Sequence, residues 1–338
     1  MKINNTMSKR VLTGDRPSGP LHLGHYFGSL QNRIEMQNTH DCYFIIADYE
    51  YLTDHINATE NFEKNIESLV LDYLAVGIDP EKSAIFVESQ IPQIAELNLI
   101  FSMMVKMSRV QRNPTIKDEI ASRGIDNASF GFIGWPIIQA ADILSMKAHF
   151  VPVGEDQLPH IEQTREIARY FNSNFSEIFP IPEPIIPKGA ISRLPGLDGK
   201  KMSKSLNNAI FLSDDVATVE KKIMSAITDP QKIKADDPGR PEICTIFKYY
   251  EIFAPEIASK RQKECQAGKI GCVACKKEIA AYINKFLDPI RQRRNELSKD
   301  KSLVRKVLQS GHKKASALAQ QTLAEVKNAM KINYKDII

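Results

Sequence analysis

The stretch RVLTGDRPSGPLHLGHYFG, residues 10–28, joins an apolar run to a helical pattern through a loop rich in glycine and proline. Its first five residues are mostly apolar or β-branched and end in glycine, which predicts a strand. The apolar residues Leu23, Phe27, Leu30 and Ile34 recur at spacings of three and four, which predicts a helix. A glycine-containing turn that enters a helix offers backbone N–H groups to an anion. The stretch therefore predicts an α/β fold with an anion site at its first turn.

Apolar runs and helical patterns continue to alternate along the first half of the chain. Further strands are predicted at 42–53, 83–90 and 149–157, and further helices at 57–76, 93–109, 135–148 and 159–172. Near-continuous apolar strands are typical of parallel sheets that are covered on both faces. The alternation indicates a doubly wound, Rossmann-type parallel sheet, in which ligands bind at the carboxyl ends of the strands.

The sequence after residue 213 contains almost no strand pattern. The proline-rich segment 179–188 predicts an extended connector. We therefore expect two domains. A Rossmann-type α/β domain over 1–213 includes a helical insertion and a lysine-rich loop, and an all-helical domain covers 214–338.

Composition excludes few classes of protein. The 338 residues are 43% hydrophobic and carry a net charge of only +4, which is too small to indicate nucleic acid by itself. Basic residues concentrate between 262 and 314, either as a solvated helix face or as a surface that contacts phosphates. No run of eighteen apolar residues predicts a membrane span, and the first residues do not resemble a secretory signal, so we expect a cytoplasmic protein.

Two histidines follow the first turn. His22 and His25 lie one helical turn apart, where imidazoles can donate hydrogen bonds to phosphate oxygens on which charge builds up. Gly24 between them would let a flat base approach the backbone. Taken alone, the pair fits helix capping or a metal site as well.

A second motif, KKMSKS at 200–205, favours the phosphate interpretation. Lys201 and Lys204, with Ser203 and Ser205, are suited to gripping a polyphosphate, although a lysine-rich loop is more often plain solvated surface. The order of the two motifs on an α/β-then-α chain favours a nucleotide site that both motifs contact.

Four of the five cysteines are close in sequence, namely Cys244, Cys265, Cys272 and Cys275. Their C-x20-C-x6-C-x2-C spacing does not suggest a disulfide framework in a chain of this size. Four thiolates suit zinc or an iron–sulfur cluster, and free thiols are the third alternative.

With these motifs the sequence resembles the class I aminoacyl-tRNA synthetases over most of its length. The segments GDRPSGPLHLGH, WPIIQAADIL, VPVGEDQ, HIEQTREIA and KMSKS look like those of the tryptophanyl enzymes. The resemblance implies that ATP with Mg²⁺ activates L-tryptophan as an adenylate and that tRNA(Trp) then accepts it. It also implies a homodimer, an anticodon-binding helical domain, and a last helix that returns to the catalytic domain. A tyrosyl-tRNA synthetase, a small-molecule adenylyltransferase with an H-x-G-H motif and a catalytically silent RNA-binding paralogue are the alternatives.

The resemblance assigns roles by position. The catalytic set is His22, Gly24, His25, Lys201 and Lys204. The residues expected to contact ATP are Arg16, Pro17, Ser18, Gly24, His25, Gly154, Glu155, Asp156, Leu194, Lys201, Met202, Ser203, Lys204 and Ser205. Tryptophan is expected to contact Trp135, Gln139, Asp142 and Gln157, with the Asp142 carboxylate accepting the indole N–H.

Three positions depart from the pattern of the family. Arg16 stands where many relatives carry Gln, Trp135 where a Tyr is common, and Glu50 where His or Gln is frequent. Because some members hold a [4Fe–4S] cluster on a similar cysteine pattern, the resemblance favours iron–sulfur over zinc. The apolar stretch 97–107 is either part of a dimer interface or ordinary core.

Overall fold

A computed structural model describes residues 8–186 and 194–334, apart from the side chain of Arg123. Within them, five parallel strands form one sheet in the order β3-β2-β1-β4-β5. The strands are β1 Arg10–Asp15, β2 Asp41–Ile46, β3 Ser83–Val87, β4 Phe150–Pro152 and β5 Glu183–Ile185. The chain moves outward from β1 to β3 and then restarts on the other side of β1. This order confirms the predicted doubly wound fold and places its switch point between β1 and β4.

Helices cover both faces of the sheet and make up the regular structure described after residue 213. The α-helices are α1 Leu23–His25, α2 Gln31–Met36, α3 Asp48–Leu52, α4 Phe62–Val76, α5 Pro92–Ser102, α6 Met107–Gln111, α7 Pro114–Arg123, α8 Phe130–Ser145, α9 Leu158–Asn174, α10 Val216–Ser225, α11 Thr245–Phe253, α12 Pro255–Gln266, α13 Cys272–Leu297 and α14 Leu303–Ala329. One π-helical stretch, Tyr26–Leu30, joins α1 to α2. Short 3₁₀ turns occupy Glu88–Gln90, Glu155–Gln157 and Pro241–Ile243.

The predicted strands at 42–53 and 83–90 are too long. Strand β2 ends at Ile46 and α3 follows, because carboxylates accept the free N–H groups at the start of that helix. Asp48 Oδ1 and Glu88 Oε2 each accept the backbone N–H of Tyr49, at 3.1 and 2.9 Å. Glu88 therefore lies in a turn after β3 rather than in a strand.

Three further predictions needed correction. The helix predicted at 93–109 ends at Ser102, and the strand predicted at 149–157 is only the three residues of β4. Inside the proline-rich connector the structure places β5, an edge strand, where the missing N–H of Pro184 is tolerated.

Two apolar cores lie on opposite faces of the sheet. Alternate strand residues point to each, so Phe44 belongs to one core and Tyr43 and Ile45 to the other. The first core also contains the inner face of α13, with Ile283 and Leu287. The helical region therefore packs directly against the sheet that carries the site.

Helix α14 covers the edge strand β3. It crosses from one core, at Val307, to the other, at Ala315 and Ala319. At the crossing a Cβ on Gly311 would lie 1.9 Å from the carbonyl oxygen of Ile85. Only glycine permits this approach of the two backbones, which closes an otherwise open sheet edge.

The described residues after 213 contain helices and turns and no strand, as the sequence predicts. In the same described part of the chain, none of the helices has the length and apolar character that a membrane span requires.

Candidate active site

The first loop and the segment after the lysine loop meet at the carboxyl ends of the strands. The backbone N–H of Leu23 donates to the carbonyl of Ile210 at 2.9 Å, and the N–H of Leu212 donates to the carbonyl of Leu21 at 2.9 Å. His22 forms the antiparallel bridge between them, with Phe211. Segments almost 190 residues apart in sequence are thus aligned as a short ribbon, which places both predicted motifs in one site.

The two histidine rings lie against each other at a tilt of 38° and are uncharged at neutral pH. Their ring centroids lie 3.7 Å apart, and the N–H of His22 donates to Nδ1 of His25 at 3.1 Å. Burial and the nearby Lys204 charge lower the pKa of His25 to about 4, and burial lowers the pKa of His22 further. The pair can therefore donate neutral N–H bonds to a phosphate, rather than supply fixed positive charge.

A buried ion pair lies behind the histidines. Arg33 is 2% exposed, and its Nη1 donates to Asp15 Oδ2 at 2.7 Å and to the Tyr73 hydroxyl at 2.9 Å. That hydroxyl donates to the same Asp15 oxygen at 2.6 Å. Although burial alone would raise it, the Arg33 guanidinium lowers the pKa of Asp15, which keeps a carboxylate next to His25. The sequence analysis missed this group, whose only local sign was the Asp that ends the first strand.

The lysine loop contacts the first loop directly. Lys204 Nζ donates to the Ser18 hydroxyl at 3.0 Å and to the carbonyl of Gly19 at 2.8 Å. The N–H of Gly24 donates to Met202 Sδ at 3.3 Å, and a Cβ on Gly24 would press on both Met202 and His22. Burial lowers the pKa of Lys204 to about 8. The predicted phosphate-binding residues are therefore brought together, with Lys204 next to the turn that enters α1.

Asn208 anchors the lysine loop, a role that the sequence analysis missed. It is 3% exposed, and its side chain accepts from the N–H of Ser203 at 2.7 Å and donates to Asp198 and to the carbonyl of Lys201. Ser203 and Ser205 share a hydrogen bond of 2.9 Å between their hydroxyls. The available sequence signal was that Asn208 belongs to a pair of asparagines and lies three residues after the lysine motif.

Residues 16–18 form the outer wall of the first loop. Arg16 makes an ion pair with Asp54 and lies over the ring of Tyr51 at 5.4 Å. The Pro17 carbonyl accepts from Asn65 at 3.0 Å. The departure at Arg16 is therefore matched by acceptors on the loop that follows α3.

Asp142 is a buried carboxyl on α8 with one oxygen that receives no hydrogen bond from the described residues. It is 3% exposed, and among the described residues its Oδ1 has no hydrogen-bond partner. Burial, together with the neighbouring charges of Glu88, Glu50 and Asp48, raises the pKa of Asp142 well above its usual range. A buried acceptor that lacks a partner is costly unless a ligand supplies the donor.

The other predicted tryptophan contacts lie near Asp142. Gln139 and Trp135 precede it on the same face of α8, and Gln139 Nε2 donates to Gln157 Oε1 at 3.5 Å. Trp135 is 4% exposed and its ring lies 4.1 Å from the ring of His160. Trp135 therefore packs against α9, which carries His160. Gln157 lies in the 3₁₀ turn after β4 and contacts Gln139.

The remaining predicted ATP contacts lie around these loops. Gly154, Glu155 and Asp156 are exposed at the carboxyl end of β4, where the carbonyl of Asp156 accepts from Thr115 at 2.9 Å. Leu194 is buried in the same core as Met202, beneath the lysine loop. Lys201 is exposed and pairs with Pro195 across an isolated bridge.

Glu50 and Glu88 complete an acidic group beside Asp142. Burial raises the pKa of Glu50 to about 7, and burial with the Glu50 and Asp48 charges raises the pKa of Glu88 well above its usual value. Glu88 Oε1 is buried without a partner in the described structure. The sequence analysis flagged Glu50 only as a departure and missed Glu88, which it assigned to a strand.

The four clustered cysteines line one cavity of about 30 Å³ in the helical region. Burial raises the pKa of Cys244 and Cys265, and raises the pKa of Cys275 to about 12. No three His, Cys, Asp or Glu side chains of the described residues are arranged to hold a single metal ion. The predicted convergence of the thiols is present, but a one-ion site is not.

Comparison with known proteins gives a consistent picture. The profile of the family "tRNA synthetases class I (W and Y)" matches residues 4–288. A tryptophan–tRNA ligase of Lactococcus lactis is 48% identical over 334 residues, which cover 96% of this chain and 98% of that protein. One of Streptococcus agalactiae is 47% identical over the same shares.

Solved structures agree with the sequence relatives. The tryptophanyl-tRNA synthetase of Campylobacter jejuni, in complex with ADP and tryptophan, has a TM-score of 0.85 and 32% identity, over 95% of this chain and 99% of that one. A tyrosyl-tRNA synthetase of Archaeoglobus fulgidus, at 21% identity and a TM-score of 0.64 over 85% and 90% of the two chains, shares the fold. This chain belongs to the tryptophan–tRNA ligases of the class I aminoacyl-tRNA synthetase family.

Proposed function

We propose that this chain attaches L-tryptophan to tRNA(Trp) through a tryptophanyl-adenylate. The observation that carries the choice of amino acid is Asp142, a buried carboxyl beside Glu50 and Glu88 whose Oδ1 has no donor in the described structure. Indole offers one N–H and no acceptor, which matches this group. Charging tRNA for translation places the protein in the cytoplasm.

In the first step, the tryptophan carboxylate attacks the α-phosphorus of ATP, and pyrophosphate leaves. We assign the growing negative charge on the phosphates to Lys201 and Lys204 and to the neutral N–H groups of His22 and His25. Mg²⁺, held mainly by the phosphates, supplies further positive charge when it is bound. Lys204 Nζ donates to Ser18 and Gly19 in the first turn, and this contact supports the assignment of Lys204 to the phosphates.

In the second step, a terminal ribose hydroxyl of tRNA(Trp) attacks the adenylate carbonyl, and AMP leaves. Neither step requires a covalent bond to the protein, since positioning and charge stabilisation supply the rate. We assign ATP contacts also to Arg16, Gly154, Glu155 and Asp156, which surround the switch point between β1 and β4. Gln139 and Gln157 approach each other beside Asp142 and are assigned to tryptophan.

The test is ATP–pyrophosphate exchange with tryptophan, with tyrosine and without an amino acid, followed by charging of tRNA(Trp). Exchange that depends on tryptophan supports the proposal. Dependence on tyrosine would indicate a tyrosyl enzyme, and exchange without any amino acid would indicate an adenylyltransferase for another substrate. No exchange with intact RNA binding would indicate a binding paralogue.

We assign the anticodon to the helical region at 214–338 and activation to 1–213. The basic residues between 262 and 314 lie mostly on α13 and α14, where they offer charge to tRNA phosphates. The KM for tRNA should therefore rise with salt while the tryptophan KM stays constant. An equal salt effect on both would contradict the assignment.

We propose a homodimer through the exposed apolar side chains of α5, α6 and α9. Leu99 on α5 and Met103 directly after it are 58% and 75% exposed, and Met107 on α6 and Tyr170 on α9 are also exposed. A second copy would cover this surface. Met103→Glu should convert a dimer to a monomer in sedimentation velocity, whereas Ile233→Glu, at another exposed apolar residue, should not. A monomeric wild type would refute the interface.

We propose a [4Fe–4S] cluster on Cys244, Cys265, Cys272 and Cys275. Four soft ligands line one cavity, and in a cluster each would bind a separate iron. Lys232 and Arg261 also line the cavity and favour an anionic group.

Iron and acid-labile sulfide should each approach about four per chain in anaerobically purified protein. Cys275→Ser should lose both, while Cys42→Ser, a buried cysteine of β2 outside the cavity, should keep them. Zinc alone would favour the alternative metal, and neither metal would favour free thiols.

A further inference from the structure

We propose that Asp72 and Arg294 are positioning residues that hold the His22 segment in place for adenylate formation. The inference rests on the proposed function of that segment. It assigns a task to two side chains that lie 222 residues apart in sequence and touch no expected substrate atom.

Asp72 joins the two partners with its two oxygens. Oδ2 accepts the backbone N–H of Leu21 at 2.8 Å, and Oδ1 accepts Arg294 Nε at 2.6 Å. Arg294 Nη2 also donates to the Ser68 hydroxyl at 3.1 Å, one turn earlier on α4. The three contacts link α13, α4 and the first loop through one carboxyl.

Leu21 is the residue directly before His22, so its backbone sets where that imidazole lies. The carbonyl of Leu21 accepts from Leu212, and the N–H of Leu23 donates to Ile210. The N–H of Leu21 donates to a different partner, Asp72. The segment 21–23 is thus bonded both to the chain after the lysine loop and to Asp72.

Burying the Asp72 carboxylate has a large desolvation cost for the sake of one backbone N–H. Asp72 is 0% exposed, and burial raises its pKa, while Arg294, the Leu21 N–H and Lys204 oppose that rise. An apolar side chain in the same place would avoid the desolvation cost. The ion pair gives instead a short, charge-assisted bond to the loop and a fixed distance between α13 and that loop.

Helix α13 carries this contact far from the site. It runs 26 residues, roughly 39 Å at 1.5 Å per residue, from Cys272 beside the cysteine cavity to Leu297. Arg294 lies in its last turn. Helix α13 therefore meets the His22 segment at this ion pair, and it also contacts the residues just after His25 through Phe286, whose ring lies 5.1 Å from that of Tyr26.

The experiment measures tryptophan-dependent ATP–pyrophosphate exchange for Asp72→Leu, Asp72→Asn, Arg294→Met and Arg294→Lys. The control is Asp41→Asn. It removes the 2.6 Å ion pair between Asp41 and Lys314, which lies at the amino ends of the strands, whereas the site lies at their carboxyl ends. Misplacement of reacting groups by about 1 Å costs up to about 100-fold, so we expect kcat to fall roughly 10- to 100-fold in Asp72→Leu and Arg294→Met. The tryptophan KM should stay within about twofold, because Asp142 is untouched. Arg294→Lys, which keeps the charge, should recover most of the lost kcat.

The pH profile separates positioning from general destabilisation. The charged groups that face Asp72 are Arg294 from α13 and Lys204 from the lysine loop. Without Arg294 the raised pKa of Asp72 rises further, so kcat of Arg294→Met should fall at a higher pH than kcat of the wild type as the pH is lowered. The double variant Asp72→Asn/Arg294→Met should lack that limb, since Asp72 no longer titrates and Lys204, the titrating group that remains there, gains its charge rather than losing it as the pH falls.

If kcat of the folded variants stays near wild type, or if only melting temperatures fall as in Asp41→Asn, the positioning role is wrong. Should Asp72→Leu fail to fold, Asp72→Asn, which keeps an acceptor for Leu21, and the Arg294 pair still decide. A wild type without tryptophan-dependent exchange would refute the proposed function itself, and the inference with it.

Discussion

Replacing Asp142 with alanine tests the choice of tryptophan at one side chain. Asp142 is 3% exposed, and its Oδ1 has no hydrogen-bond donor among the described residues. The proposed donor is the indole N–H. The substitution removes that acceptor and leaves the phosphate-binding loops unchanged.

The size of the effect follows from the charge and burial of the group. A hydrogen bond to a charged partner contributes about 1.5–3 kcal/mol, which corresponds to roughly 10- to 100-fold in kcat/KM. Asp142→Asn keeps a neutral acceptor and should lose less. Phenylalanine lacks the N–H and leaves the wild-type carboxyl unpaired, so its kcat/KM should stay constant or rise in Asp142→Ala. The preference for tryptophan over phenylalanine should therefore fall by at least the same factor.

The dependence on pH gives an independent check. Burial and the Glu88, Glu50 and Asp48 charges raise the pKa of Asp142, so the neutral acid is favoured at low pH. The ionised carboxylate is a stronger hydrogen-bond acceptor than the neutral acid. The tryptophan KM should therefore fall as the pH rises through that pKa. Asp142→Ala should lose this dependence.

The assay is ATP–pyrophosphate exchange over a range of tryptophan and phenylalanine concentrations, with the exchange rate at saturating ATP as the readout. Unchanged selectivity in Asp142→Ala would refute the assignment. A tryptophan KM that does not vary with pH in the wild type would refute the electrostatic part of the reasoning.

Three other predictions concern the phosphate site and the scaffold. Because the pKa of Lys204 is about 8, the lysine loses its charge above that pH, and the ATP KM of the wild type should rise there. Lys204→Arg stays charged, so its ATP KM should not rise. Steady-state kinetics that show the same rise in both proteins would contradict this prediction. Gly311→Ala should lose about 1–3 kcal/mol of stability in urea unfolding, since the added Cβ meets the Ile85 carbonyl. Gly134→Ala is the control, because no atom lies within 4 Å of a Cβ added there, and it should keep its stability. Equal stabilities of the two variants would refute the close approach. Asp15→Ala leaves Arg33 charged and buried and should cost about 3–5 kcal/mol in the same assay, so a loss below about 1 kcal/mol would contradict the buried pair.

Local sequence pattern predicted four of the five strands, together with the histidine and lysine motifs. A strand, a glycine-containing turn and a helix at 10–28 predict the centre of a parallel sheet, and the structure places β1 there. The ends of strands were harder, because an apolar run does not reveal where tertiary hydrogen bonds stop it. Glu88, read as part of a strand, instead accepts two N–H groups at the start of α3.

The supporting residues of the site could not be predicted for a different reason. Arg33 falls outside the apolar positions of the first predicted helix, yet it is buried against Asp15. Asp72 lies on a strongly apolar helix face, and its partner Arg294 comes from the other end of the chain. Such pairs depend on which segments meet in space, which periodicity does not encode.

The site divides into two regions of opposite hydrogen-bonding character. Around α3 and α8 the buried polar groups are mainly carboxyl acceptors, with Asp142 and Glu88 carrying oxygens that have no donor within the described residues. Around the first turn and the lysine loop lie donors, namely two neutral imidazoles and Lys204, and the Asp15 carboxylate behind them is paired with Arg33. The proposed substrates have the matching arrangement, since tryptophan presents an ammonium and an indole N–H while ATP presents phosphates. A ligand that spans both regions places its carboxylate between them, next to the α-phosphorus, so the polarity of the site alone aligns the two reactants for adenylate formation.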